Sequence, residues 1–430
     1  MRKQKNGLLS SSGRRSAIMG TALACLLTGM LLAYHLLPLW YVYAGHVTLP
    51  TDPGVASRPA QKNHYLYYVL KQSGGFVLAR ALAGADSQPV GTPHVVASFG
   101  DDFGQTSADA IISLQPSPDG RYVAIDGTRS DGELLWIFDA RYMTLNLEPA
   151  NASGTFLHWL PGSSDVFLYR PMFPMGPYAP LDKGSWNPGL WEVNAATGKI
   201  INLAIRGPSA YLVDAAASPD GSQIIYSTSA GLGEGSDIWL MNVHGQHSTH
   251  LLSLSGGVSG IAGMFAWSPN GQSIAYESLV DSPTPFLPAG VWVMNRQGSD
   301  RHFLAEADGG HGFALNWSPD GTKIAFVART NPGQSMADQS TQALKSAIEV
   351  VNVSSGHAWT AASSVQTGAQ INADPLWSAD SSRITFAAYN PLNPDLGGTV
   401  RYWSVSATPD PVMPSVVPLS QPVTHVIMPG

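Results

Sequence analysis

One cysteine in 430 residues, Cys25, rules out an intrachain disulfide and leaves everything after it without a thiol. Charge is also scarce: Asp, Glu, Lys and Arg make up 12% of the chain against 44% hydrophobic residues, a balance that suits a sheet-rich domain with large buried faces. Five basic residues, Arg2, Lys3, Lys5, Arg14 and Arg15, precede residue 16 with no acidic neighbour, and without them the formal net charge falls from −7 to −12. So acidic a remainder argues against nucleic acid as a partner, because phosphate binding needs a basic stripe. Catalytic signatures are missing as well. No Gly-x-Ser-x-Gly elbow, phosphate loop, His-Glu-x-x-His or Cys-x-x-Cys occurs. No catalytic residue, metal or cofactor is therefore expected.

The chain does contain a repeated phrase. Ala266-Trp267-Ser268-Pro269-Asn270-Gly271 leads into Ile274-Ala275-Tyr276, and Asn316-Trp317-Ser318-Pro319-Asp320-Gly321 leads into Ile324-Ala325-Phe326. Further copies start at Ser117 and Ser218, and two worn ones at Trp159 and Trp377, with a period of 43 to 60 residues. Pro presets φ for a turn, Asp or Asn bonds its own backbone, and Gly supplies positive φ at the exit. The β-branched and aromatic run that follows reads as a short buried strand. A second phrase trails each copy, as in Asp237-Ile238-Trp239-Leu240-Met241-Asn242 and Gly290-Val291-Trp292-Val293-Met294-Asn295. After one more turn comes a last apolar run, such as His302-Phe303-Leu304. Four antiparallel strands per unit make the blade of a β-propeller.

Together the two phrases resemble the TolB-like, WD-repeat-related propeller repeat, over residues 60 to 430. That resemblance implies a propeller fold and a role in protein–protein contact in the bacterial envelope. Similar repeats also occur as the regulatory propeller of prolyl-oligopeptidase-like hydrolases, but here the repeats fill the chain, which points away from catalysis by that route. The expected fold is all-β: a propeller of seven four-stranded blades, with six or eight as alternatives, over residues 63–430. Tyr65–Val69 and Phe76–Arg80 belong to a first unit that lacks the turn phrase. Its innermost strand is expected from Val423–Ile427, which would remove an open sheet edge.

Residues 17–40 carry no charge. As a helix, 24 residues span about 36 Å, enough for a hydrocarbon core of about 30 Å. Arg14 and Arg15 flank its start, and Trp40, Tyr41 and Tyr43 flank its end. The expected organisation is a cytoplasmic tail (1–15), a transmembrane anchor (16–44), a linker (45–62) and an extracytoplasmic propeller. Cleavage near Ala44 is the alternative.

Loop lengths separate two faces of the propeller. Turns within Ser-Pro-Asp-Gly and after Met-Asn are short and nearly uniform. Connections such as 170–188, 281–288, 330–345 and 390–398 are long, and loops on a rigid scaffold are where binding concentrates. The 170–188 insertion, with Met172, Phe173, Tyr178 and Trp186, reads as a hydrophobic contact loop or as a flap packed on its own blade. Asp214 and Asp374, each four residues before its turn, would face the channel mouth with Asp308 and His311. There they would bind a cation or basic peptide end, or serve as turn caps and partners of Arg206 and His311. His244-x-x-His247-x-x-His250 spans a hairpin, where residues three apart face opposite ways, so no metal site is expected. Asp101, Asp102 and Asp109 lack calcium-loop spacing. The Trp stripe (Trp136, Trp159, Trp191, Trp239, Trp267, Trp292, Trp317, Trp377 and Trp403) is expected at equivalent blade positions as inter-blade filling, not as a ligand cage. Taken together, the chain reads as a membrane-anchored docking scaffold for an envelope protein or peptide, its oligomeric state unspecified. A polar enzyme or small-ligand site at the channel mouth is the alternative.

Overall fold

The computed structural model describes residues 65–72, 75–83, 89–99, 103, 110–129, 132–147, 154–171, 189–203, 205–206, 211–230, 233–257, 260–279, 288–308, 315–334, 345–378, 380–390, 401–409, 417–418 and 426–427. Among these, no helix is long and apolar enough to cross a membrane. The anchor and linker expected before residue 63 lie outside the described residues.

The chain is an all-β propeller. Its described strands form four-stranded antiparallel sheets, numbered here 1 to 7 in chain order. Six of them, not seven, are complete blades of four consecutive strands; the unit at residues 65–98 supplies only three. The fourth strand of sheet 1 is Val426–Ile427, and Tyr67 faces Ile427 while Tyr68 faces Val426. The seam behind it is packed too, because Ala387 of sheet 7 joins Tyr67, Val69 and Leu78 of sheet 1 in one buried cluster.

In sheets 2 to 7 the turn phrase joins the first strand to the second, and its chemistry is local. In Ser218-Pro219-Asp220-Gly221, the Ser218 hydroxyl donates to Asp220 Oδ1 (2.6 Å) and accepts from the Gln223 N–H (3.0 Å). The Gly221 N–H bonds the Ser218 carbonyl (2.8 Å), and Gly221 takes φ 65°, which favours glycine. A Cβ on Gly221 would lie 2.6 Å from the Pro161 carbonyl oxygen of sheet 3, so the turns of neighbouring blades also touch. In sheets 3 to 6 the second phrase ends on an Asn that closes its own turn, and in sheet 2 on Asp139 in the same role. Asn242 Oδ1 accepts from the His244 and Gln246 N–H groups, and Asn295 Oδ1 from Gln297 and Ser299.

Between blades the core is apolar and layered by the two-residue period of a strand. Ile274 and Tyr276 pack toward sheet 4 with Ala216, Ile225 and Leu240. Ala275, on the other face of the same strand, packs toward sheet 6 with Leu315, Ile324 and Phe326. Every second strand therefore presents alternate residues to the blades before and after it, and this decides where its polar residues go.

The nine tryptophans of the repeat fall at two kinds of position. Trp159, Trp267, Trp317 and Trp377 end innermost strands, and their indole N–H groups donate backward to Gln115, Ala216, Ala266 and Asn316 carbonyls of the preceding blade, at 2.9 to 3.2 Å. Trp136, Trp191, Trp239, Trp292 and Trp403 sit in third strands. The first four of these pack against aromatic neighbours or cations, as with the Arg301 guanidinium 3.6 Å from the Trp292 ring centroid, and Trp403 packs on an apolar cluster. The first set ties blade to blade, while the second fills the outer half of a blade.

Candidate functional site

The polar residues of the inner half follow from the alternation just described. The residue after Ile125, Tyr169, Tyr226 and Tyr276 of the second strands (Asp126, Arg170, Ser227 and Glu277 in sheets 2 to 5) faces the following blade. Asp126 Oδ1 accepts from the Phe156 N–H of sheet 3 (3.2 Å). Arg170 Nη1 donates to the Val213 carbonyl of sheet 4 (2.5 Å), and the Ser227 hydroxyl to the Ala262 carbonyl of sheet 5 (2.6 Å). Arg170 also donates to Thr155 Oγ1 (3.2 Å), whose hydroxyl donates in turn to the Glu133 carboxylate. That chain links sheets 2, 3 and 4 and fixes the strand from which the 172–188 insertion leaves.

Similar bonds recur further round. The Ser236 hydroxyl accepts from the Ala262 N–H (2.9 Å) and the Ser346 hydroxyl from the Asn372 N–H (2.8 Å). Asn372 Nδ2 donates to the Ser346 carbonyl (2.8 Å), and Asn316 Nδ2 to the Pro375 carbonyl (2.7 Å). Buried polar groups must be bonded, and here the bonding is directed across the seams.

Of the channel-mouth candidates, Asp214 accepts from the Phe265 N–H of sheet 5 through Oδ2 (3.0 Å). The neighbour sequence reasoning missed is His158 of sheet 3. Burial pushes its imidazole below the ordinary range, and the Asp214 carboxylate pulls it back up. Asp374 is buried at φ 55°, at the irregularity where Ala373 and Leu376 pair with sheet 7's second strand. Asp308 is 1% exposed, with its backbone N–H bonded to the Val327 carbonyl of sheet 6 (2.9 Å). Its charge acts on Glu277, a second missed residue, which is also 1% exposed. Among the candidates, the Asp214 charge thus acts on His158 and the Asp308 charge on Glu277. His311, Met172, Phe173, Tyr178, Trp186, Asp101, Asp102 and Asp109 lie outside the described residues.

The His-rich hairpin holds a different grouping from the metal pattern its spacing invites. His247 occupies the turn at φ 55°. His250 Nε2 lies 3.2 Å from Asp237 Oδ1 and 3.0 Å from the Ser253 hydroxyl, which itself donates to Asp237 Oδ1 (2.6 Å). The residue types are those of a hydrolytic triad, but the arrangement is not. In a triad the acid holds one imidazole nitrogen while the serine faces the other; here Ser253 and Asp237 share Nε2 and bond each other. All three lie on the outer strands of sheet 4. Among the described residues no group of three or more His, Cys, Asp or Glu is placed to hold a metal ion.

No protein-family model matches the sequence, and no curated protein matches it. Solved structures do match. An oligogalacturonate lyase in complex with manganese is similar at 14% identity and TM-score 0.53, over 86% of this chain and 89% of that one. One of two prolyl endopeptidases is similar at 14% identity and TM-score 0.51, over 87% of this chain and 53% of that one, so this chain spans about half its length. TolB from Acinetobacter baumannii is similar at 14% identity and TM-score 0.43, over 69% of this chain and 62% of that one. At these identities the likeness shows the fold.

Proposed function

We propose that this propeller is a non-catalytic docking scaffold of the cell envelope. In this reading residues 17–40 hold it at the outer surface of a membrane, and it binds a protein or peptide through the face that carries the 172–188 insertion. Its blade count in this reading is seven, with sheet 1 completed by residues 426–427. The observation that carries the reading is the use made of inner polar groups. Asp126, Arg170, Ser227 and Asp214 each make a bond to the backbone of the next blade. Groups committed in this way stiffen a ring and are poorly placed to exchange protons with a substrate. The resemblance of the repeat phrase to TolB-like propellers supports the same role.

A polar site in the channel mouth is the competing reading, favoured by the proximity of His158 and Asp214 on neighbouring inner strands. One experiment separates the two. A photo-crosslinking residue is placed at Tyr178 or Trp186 on the long-loop face, or at Gln272 in a short turn, and irradiated in intact cells carrying the full chain. Docking predicts one discrete adduct from the first two positions, none from the third, and the same adduct in a His158→Ala background. Adducts absent from every position, or abolished by His158→Ala while the protein remains folded, would overturn it.

A further inference from the structure

The outer edges of the blades are not alike. An outermost strand presents unpaired backbone to solvent, and such an edge is ordinarily blunted by a bulge, a proline or a charge. In sheets 1, 4, 5 and 6 the pairing of the third strand with the fourth shifts register. In sheet 7 the outermost strand is only Val417–Pro418. Sheets 2 and 3 use none of these devices. Their outermost strands, Thr144–Leu147 and Ile200–Leu203, pair without a shift and contain neither proline nor an ionisable side chain. In sheet 3 the edge is apolar as well: Ile200 and Ile201 are each 41% exposed, on opposite faces of the strand.

The phase of the ladder says which backbone groups this edge offers. The Asn194 N–H donates to the Lys199 carbonyl (2.9 Å), and opposite residues of an antiparallel pair alternate between bonded and non-bonded. Glu192 with Ile201 is the next bonded pair, so Ile200 and Asn202 turn their N–H and carbonyl groups outward. Among the described residues no strand lies beyond them. Charge on this side of the ring is one-sided. Lys199 is exposed at the start of the strand, and Arg141 is exposed in the turn that leads to its counterpart in sheet 2. Among the described residues every exposed carboxylate belongs to sheets 4 to 7, while the carboxylates of sheets 1 to 3 are buried or half-buried. Glu192, opposite Ile201, is half-buried.

These features select among occupants. Lipid cannot satisfy the outward N–H and carbonyl groups, which would lose water and gain no partner. A second copy paired edge to edge, Ile200 against Asn202, would set Lys199 opposite Leu203 and leave its charge unmatched. An extended segment of another protein can supply both the backbone ladder and an opposite charge. We propose that the outer edge of sheet 3, Ile200–Leu203, docks an extended peptide of a partner protein as an added antiparallel strand, with apolar residues beside Ile200 and Ile201 and a carboxylate at Lys199. Because the added strand runs the other way, that carboxylate follows the apolar residues in the partner's sequence. This edge is separate from the long-loop face, and docking at one does not require docking at the other.

The test pans the full chain against random short peptides displayed on phage and measures the affinity of those selected. The expected peptides alternate β-branched or aromatic residues with others and then carry Asp or Glu. Ile200→Pro removes one outward N–H and an exposed side chain but no ladder bond, and proline is tolerated at the first residue of a strand. It should weaken these peptides about tenfold or more. Lys199→Glu should weaken them about three- to tenfold at low salt, with the difference shrinking at high salt. Failure to select any peptide, or selected peptides that bind all three proteins equally, would overturn the proposal. So would a dimer of the unsubstituted chain in sedimentation that Ile200→Pro separates, since the occupant would then be a second copy. If Ile200→Pro does not fold, hydrogen exchange in the unsubstituted chain decides. Saturating peptide should slow exchange of the Ile200 and Asn202 amides, and unchanged exchange there overturns the site.

Discussion

At the scale of single residues, the third-strand tryptophans show how much one hydroxyl can matter. Trp292 Nε1 donates to the Ser278 hydroxyl (2.9 Å) on the neighbouring strand. The same indole atoms of Trp191, Trp239 and Trp403 are buried with no hydrogen-bond partner among the described residues. In sheet 7 the position of Ser278 is taken by Ala388, since Ser278 faces Gly290 two residues before Trp292, and Ala388 faces Arg401 two before Trp403. Ser278→Ala should destabilise by about 1–2 kcal/mol, because a buried donor is left unsatisfied. Ala388→Ser should gain up to about 1 kcal/mol if the added hydroxyl reaches Trp403. Both changes are read from urea unfolding midpoints, and equal midpoints for all three proteins would contradict this account. Ser381 offers a second case. It stands at φ 60° where sheets 2, 4, 5 and 6 have Gly, yet its hydroxyl accepts from the Asp320 N–H of sheet 6 (3.1 Å). The strain of a side chain there and the net worth of that bond are each about 1 kcal/mol. Ser381→Gly should therefore leave stability within about 0.5 kcal/mol, while Ser381→Ala keeps the strain, loses the bond and should cost about 1 kcal/mol.

At the scale of elements, the turns carry an acid-sensitive charge. Hydrogen bonds from Ser218 and Ser222 hold the Asp220 carboxyl down to about 2. Partial burial works against the same effect at Asp320, yet bonds from Ser318 and Thr322 still bring it to about 2. Carboxyls depressed in the folded state lend stability above their unfolded values and lose it as pH falls through the folded ones. The melting temperature should thus decline between about pH 4 and pH 2, by a modest amount because these turns face solvent. Asp220→Asn should flatten its share of that decline, and an unchanged acid limb would refute the role of the turn. Such turns were legible in the sequence because their chemistry is confined to six consecutive residues. The seam bonds were not. Asp126 meets Phe156 and Asp214 meets Phe265, pairs separated by 30 and 51 residues, and they meet only because blades stack. One signal was available: aligned on Ile125, Tyr169, Tyr226 and Tyr276 of the second strands, Asp126, Arg170, Ser227 and Glu277 form a polar column inside apolar runs. The two tryptophan sets merged in the sequence for the same reason, since strand position within a blade is settled by pairing.

At the scale of the whole molecule, the account rests on closure. A sheet of three strands, residues 65–98, would leave its inner edge unpaired at the channel, a template for association with other chains. Residues 426–427 cover part of that edge, and Ala387 packs into the same cluster from the other side. Deleting residues 426–430 should lower the melting temperature by about 3–6 °C and speed aggregation, with light scattering as the readout; an unchanged scattering trace would argue that the edge is protected in another way. The most direct measurement joins the strands covalently. Partners across an antiparallel pair have Cα atoms about 4.5–5.5 Å apart, within the span of a disulfide. In a Cys25→Ser background, Tyr67→Cys with Ile427→Cys should oxidise to a single intramolecular disulfide in the folded protein, detected by mass spectrometry of the linked peptides. Free thiols at both positions after mild oxidation, in a protein that still folds, would contradict the closed ring.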